Sequence, residues 1–148
     1  MRKLIAAINM TLDGFCDHTA MIADEEIHQH YNELLRNADT LIYGRITYQL
    51  MESYWPSVVK SPTGNKPMDE FAVLIDNISK IVFSRTLKNV DWKNTALKKE
   101  VIKEEILELK RSLNGGSKNI RDRIDLKLVK TKTFGCGAIA LYYEPTKK

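Results

Sequence analysis

The sequence predicts an α/β fold built as one domain, and three observations predict it. Short apolar runs at residues 4–10, 40–43 and 80–83 are too short for stable helices and suit buried strands. The stretches between them carry apolar residues at helical spacing, so strands and helices alternate as they do around an α/β sheet. The length of 148 residues is enough for a single core that buries about two-thirds of the unfolded surface without disulfides or metals.

Composition narrows the function. The formal charge of +4 comes from 23 basic and 19 acidic side chains that are interspersed, so a nucleic-acid surface is not demanded. Cys16 and Cys136 lack the close Cys or His spacing of a zinc site and read as free thiols in a reducing cytoplasm. The run at residues 4–10 is too short for a signal-peptide core, and no stretch is long enough to span a bilayer. A soluble, cytoplasmic protein is expected, with no metal and with neither membrane nor nucleic acid as a partner.

In chain order, the run at residues 4–10 is expected near the sheet centre, buried on both faces. Asp13-Gly14 breaks it, because Asp-Gly favours a turn and glycine reaches positive φ. Asp24 opens a helix to about Asn37: Asp24 caps it, Glu25 and Glu26 suit its first turn, and Ile27, Tyr31, Leu34 and Leu35 recur at helical spacing. His28 and His30 stand two apart on it and cannot chelate one metal. Residues 40–43 form the second strand and 46–51 a helix that Tyr54-Trp55-Pro56 ends, since proline does not continue a helix. Trp55 needs either burial or a ligand. KSPTGNK at residues 60–66 is a loop, and residues 68–78 form a helix through Phe71, Leu74, Ile75 and Ile78. Residues 80–83 are the third strand, and 90–95 a short edge strand or loop. Residues 100–113 form a charged helix stopped by Asn114-Gly115-Gly116, and 124–134 a strand by its alternation.

Two stretches carry chemistry. In LIYGRITYQLM, residues 41–51, an apolar run stops at Gly44, and Arg45 and Thr47 follow at a helix start. Unpaired N–H groups there attract anions, and an Arg fork adds bidentate bonds to phosphate oxygens. The bland alternative is a turn with a solvated arginine. In the second stretch, Ser84-Arg85-Thr86 closes a strand with hydroxyl, cation and hydroxyl, a set that can hold the ribose phosphate distinguishing NADPH from NADH. Its alternative is a polar turn.

Three blocks, MRKLIAAINMTLDGF, GRITYQLM and KIVFSRTL, resemble in order and spacing the dihydrofolate-reductase-like family. That family includes the reductase domain of bacterial riboflavin-biosynthesis enzymes. The resemblance implies a mostly parallel sheet flanked by helices, with an antiparallel C-terminal hairpin matched here by IDLKLVKTKTF and AIALYYE. It implies NADPH as cofactor and hydride transfer to a small pterin-, pyrimidine- or carbonyl-type substrate. By resemblance, Ala7 and Gly14 approach the nicotinamide, and Gly44, Arg45, Thr47, Ser84 and Arg85 hold the phosphates. Asn9, Asp13, His30, Tyr48 and Trp55 would line the substrate side. The acid that dihydrofolate reductases carry on the first helix is not clearly matched, because His30 falls nearest its register and Glu26 one turn earlier. Dihydrofolate itself is therefore a doubtful substrate, and no residue stands out as general acid. A homodimer through the sheet edge or the closing hairpin is also implied.

After Gly116 the resemblance breaks. The family continues with a strand, a glycine turn over the pyrophosphate and further strands, whereas here Ser117-Lys118-Asn119-Ile120 leads straight to the closing pair. Some tens of residues are missing against that pattern. Either the molecule lacks them, or the 148 residues join two pieces of a longer chain. The alternative function is a non-catalytic ligand-binding or oligomeric domain of the same fold. A nucleic-acid module ranks last, with only the pI of 9.0 behind it.

Overall fold

The computed structural model describes residues 4–16, 23–101, 104, 106 and 125–146. Chain contacts gather them into two compact units, residues 25–102 in one and residues 1–24 with 103–148 in the other. The helix expected at 100–113 and the break after Gly116 fall largely or wholly outside the described residues.

The unit at residues 25–102 contains α1 (Glu25–Arg36), β1 (Thr40–Gly44), α2 (Arg45–Lys60), α3 (Lys66–Asn77), β2 (Ser79–Phe83) and β3 (Thr95–Lys98). Its sheet runs β1-β2-β3 with both pairs parallel, Gly44 opposite Phe83 and Phe83 opposite Lys98. All three strands therefore end at one edge. Helix α2 packs on β1 and β2, and α1 and α2 both pack on α3. The core joins Tyr48, Ile75, Val82 and Trp92, with Leu41, Met51, Trp55, Phe71 and Leu97 packed around them. Burying side chains of this kind stabilises by about 1.5–3 kcal/mol each.

Local chemistry explains the helices. Helix α1 has Glu25 and Glu26 in its first turn and Arg36 in its last, the charge order the helix dipole favours. Helix α3 is capped by Asn65, whose side chain accepts from the Met68 N–H at 3.1 Å, and Pro67 lies in the first turn, where a missing N–H costs nothing. Asp69 ties down the preceding loop by accepting from the Thr63 N–H, the Thr63 hydroxyl and the Gly64 N–H at 2.8, 2.7 and 3.0 Å. Those bonds, the Thr63 hydroxyl first, hold its carboxyl below the usual value.

Helix α2 departs from expectation by running through Pro56 to Lys60. Proline removes one backbone bond and crowds the carbonyl four residues back. The helix persists because burial continues on both sides of the break, with Tyr48 in the core before it and Val58 buried after it.

The C-terminus of α3 is closed by side chains from further along the chain. The Leu74 carbonyl accepts from the Ile78 N–H, and the Asn77 carbonyl from Asn94 Nδ2 at 2.9 Å. The Ile75 and Asp76 carbonyls both accept from Lys80 Nζ, at 2.8 and 3.1 Å, and Lys80 also reaches the Ile78 carbonyl at 2.9 Å. Every carbonyl of the last turn thus has a donor. Lys80 is 1% exposed, and its ammonium lies 4.6 Å from the centre of the Trp92 ring. Trp92 Nε1 in turn donates to Asp76 Oδ1 at 2.7 Å, and Lys93 pairs with Asp76 Oδ2 at 2.5 Å.

These buried groups set a pH dependence. Burial pushes the Lys80 ammonium down from 10.5 to about 8, against the pull of Asp76. Burial also pushes Tyr43 up to about 12, and burial reinforced by Glu52 does the same for Tyr48. From about pH 8 to about pH 10 the folded chain releases the Lys80 proton while the unfolded chain keeps it, so stability should rise. Above about pH 10 the unfolded tyrosines ionise first and stability should fall. Urea unfolding across this range should show a maximum near pH 10; a steady decline from pH 8 would contradict the Lys80 shift.

In the other unit, residues 4–10 do not form the expected strand, and Leu4, Ile5, Ile8 and Met10 are 60% to 70% exposed. An apolar run states a demand for burial but not its partner, and no described strand pairs with this one. The Asp13-Gly14 turn forms as expected, with Gly14 at φ +93° and its N–H donating to the Thr11 carbonyl at 3.0 Å. The closing hairpin pairs β4 (Leu126–Thr133) with β5 (Ile139–Pro145) in antiparallel register. Gly137, at φ +87°, makes its turn. The register shifts by one residue between Leu128 and Lys130, which reverses the phase of β4. Leu126, Leu128, Ile139, Leu141 and Tyr143 consequently share one face, and Lys127, Lys130 and Lys132 the other.

Candidate functional site

The common C-terminal edge of the parallel strands brings together five of the residues singled out in the sequence. Gly44 ends β1 and caps α2 with extended backbone, φ −81° and ψ 167°, and no side chain caps the helix. The first turn holds no acidic residue, so the helix places no carboxylate of its own at the positive end of the α2 dipole. Arg45 opens the helix, exposed, and its Nη1 donates to Gln49 Oε1 at 3.1 Å. Thr47 is exposed one residue further on from Ile46. A Cβ at Gly44 would meet nothing within 4 Å, and its φ is ordinary. Neither packing nor backbone strain accounts for a glycine at that position.

On the neighbouring strand, Ser84 follows Phe83, the residue paired with Gly44. Paired strands lie about 5 Å apart, so the two strand ends are adjacent. The Ser84 N–H donates to the Lys98 carbonyl at 2.9 Å, tying it to β3. Its hydroxyl accepts from the Thr86 and Leu87 N–H groups at 3.2 and 3.0 Å, and the side chain is 8% exposed. Arg85 and Thr86 are exposed beside it. Two arginines, three hydroxyl residues and an open helix N-terminus thus share the edge at which parallel α/β sheets bind ligands.

The remaining candidates lie elsewhere. Tyr48 is 1% exposed; its hydroxyl donates to Glu52 Oε1 at 2.5 Å and accepts from the Trp92 N–H at 3.2 Å, so its place is the core. Trp55 sits about 15 Å along the helix from Arg45 by the usual rise per residue. Its ring packs edge-on against Phe71 at 4.6 Å and Tyr54 at 5.1 Å. His30 lies on α1, its ring 5.7 Å from that of Tyr31. Ala7, Asn9, Asp13 and Gly14 belong to the other unit, where they are exposed and where the Thr11 hydroxyl donates to Asp13 Oδ1 at 2.5 Å.

Gln49 is absent from the sequence reading, although its i, i+4 spacing to Arg45 is a signal that would find it. Among the described residues, no group of three or more His, Cys, Asp or Glu side chains could hold a metal ion. Nor is any helix among them long and apolar enough to cross a membrane.

Comparison with known proteins agrees with this architecture. The sequence model of the family described as RibD C-terminal domain matches residues 2–137. The uncharacterized protein YyaP of Bacillus subtilis (strain 168) is 25% identical over 182 residues, covering 96% of this chain and 94% of that protein. That alignment is 34 positions longer than the 148-residue chain, so positions of the relative lack a counterpart here.

Proposed function

The chain belongs to the family of RibD C-terminal domains, and from that premise we propose that it is an NADPH-dependent reductase of a small pterin-, pyrimidine- or carbonyl-type compound. Its fold is dihydrofolate-reductase-like: a parallel sheet flanked by helices, with an antiparallel hairpin. The observation that carries the reading is the meeting of Gly44-Arg45 and Ser84-Arg85 at one strand edge. NADPH when bound would supply the hydride and solvent water the proton, and the protein would position cofactor and substrate.

In this reading Arg45, Thr47 and the N-terminus of α2 hold anionic oxygens, and the open space at Gly44 admits a phosphate close to the backbone. Ser84 and Arg85 serve the ribose phosphate. Ala7 and Gly14 would approach the nicotinamide, and Asn9, Asp13 and His30 would serve the substrate. Tyr48 and Trp55, placed in the core and an aromatic cluster, would shape that side through packing. The protein would act in the cytoplasm.

A fluorescence titration with NADPH and NADH tests the reading. Tight NADPH binding with much weaker NADH binding is expected; no binding of either at near-millimolar concentration rejects it. That outcome would favour the second reading, a non-catalytic ligand-binding or oligomeric domain of the same fold. A homodimer is also proposed, supported by the apolar hairpin face of Leu126, Leu128, Ile139, Leu141 and Tyr143, which are 45% to 60% exposed. Sedimentation equilibrium should give twice the 17.0 kDa chain mass, and a monomer at micromolar concentration would reject the dimer.

A further inference from the structure

We propose that Ser84 is a positioning residue for the ribose-phosphate end of the cofactor site, acting through Arg85 and Thr86 rather than by touching the phosphate. The inference rests on the NADPH reading and assigns within it which groups meet the ligand. Lys80, Val82 and Ser84 alternate along one buried face of β2 and its continuation, so the Ser84 hydroxyl faces inward with them. A hydroxyl oxygen has two acceptor positions, and the Thr86 and Leu87 N–H groups fill both. Thr86 Oγ1, at 3.4 Å, is the polar side-chain atom beside it. The effect is to fold the chain back immediately after the strand. Arg85, between the two ends of that turn, and Thr86 are exposed, while Ser84 is not.

The arrangement divides the labour of Ser84-Arg85-Thr86. Arg85 and Thr86 present a guanidinium and a hydroxyl, the donors a phosphate dianion needs. Ser84 holds the backbone that sets where they stand. Loss of the oxygen that accepts from two backbone N–H groups frees a short turn, and an arginine on a mobile turn loses pre-organisation toward its anion.

The test combines cofactor titrations with hydrogen exchange on the full chain and its Ser84→Ala, Ser84→Thr, Arg85→Ala and Ser84→Ala/Arg85→Ala variants. Ser84→Ala should speed exchange of the Thr86 and Leu87 amides and cut the preference for NADPH over NADH by about fivefold, a size set by the loss of one net hydrogen bond. Ser84→Thr, which keeps the oxygen, should restore both. In the Arg85→Ala background, removing the Ser84 hydroxyl should cost clearly less of the preference than it does in the parent, because only the Thr86 contact is left to lose. Full additivity of the two losses, with Thr86 and Leu87 exchange unchanged, would make Ser84 a direct phosphate ligand and overturn the proposal. A wild-type chain without any NADPH preference would reject the cofactor reading itself. The exchange result then decides alone: faster exchange in Ser84→Ala keeps Ser84 as the organiser of this turn, and unchanged exchange removes it.

Discussion

Lys80→Met should destabilise the chain by about 3 kcal/mol, read as a lower midpoint in urea unfolding with an unchanged slope. Three carbonyls, of Ile75, Asp76 and Ile78, lose their shared donor in a site that excludes water. Each buried acceptor left without a partner costs about 1–3 kcal/mol. Two terms oppose the loss. Methionine keeps most of the apolar stem against Trp92, and the chain no longer buries an ammonium, whose desolvation is what pulls its pKa to about 8. Asp76 does not become an uncompensated charge, because Lys93 and Trp92 remain on it. The carbonyl losses outweigh the relief, because methionine brings no donor. The rise in stability between pH 8 and pH 10 should vanish in the same variant, while the tyrosine-driven fall above it remains. A Lys80→Met chain as stable as the parent would mean that water reaches the end of α3.

Arg85→Ala and Arg45→Ala should each weaken NADPH binding by roughly tenfold or more, but with different signatures. A charge-assisted bond to a phosphate contributes about 1.5–3 kcal/mol, and a factor of ten corresponds to about 1.4 kcal/mol. NADH lacks the ribose phosphate, so Arg85→Ala should leave its affinity nearly unchanged and remove most of the preference for NADPH. Arg45 stands at the helix N-terminus, where anionic oxygens common to both cofactors would lie, so Arg45→Ala should weaken the two equally. An NADPH-only loss at Arg45 would instead move both arginines to the ribose phosphate. Gly44→Ala completes the set: its Cβ meets nothing within 4 Å, so the fold should lose only the modest N-cap preference of glycine over alanine while cofactor affinity falls. Retained affinity in Gly44→Ala would show that no ligand approaches the backbone there.

Much of this was legible in the chain itself. The alternation of residues 40–43 and 80–83 with helical stretches located β1 and β2 to within a residue, and acids at Glu25 and Glu26 marked the start of α1. Glycine and arginine at a strand end pointed to Gly44-Arg45, and Ser84-Arg85-Thr86 to its counterpart. Both are local signals, made by neighbours in sequence, and a linear reading sees them.

What escaped it depended on distant residues. That Pro56 sits within a continuous helix follows from burial on both sides of it, by partners the sequence does not name. The apolar run at residues 4–10 states only a need for burial, and the described structure leaves it outside any strand. Tyr48 read as a candidate ligand-facing residue until Glu52 and the Trp92 backbone took up its hydroxyl. Residues 80–83 read only as a strand, yet Lys80 also closes the helix that ends before it. The sequence by itself determined the order of elements and which residue types could meet a phosphate, because those rest on periodicity and on side-chain chemistry. Only the tertiary structure decided that the Gly44 and Ser84 strand ends lie side by side, and that the buried hydroxyls and Lys80 serve the fold. Parallel pairing across some forty residues, and the exclusion of water that follows from it, exist only once the sheet is assembled.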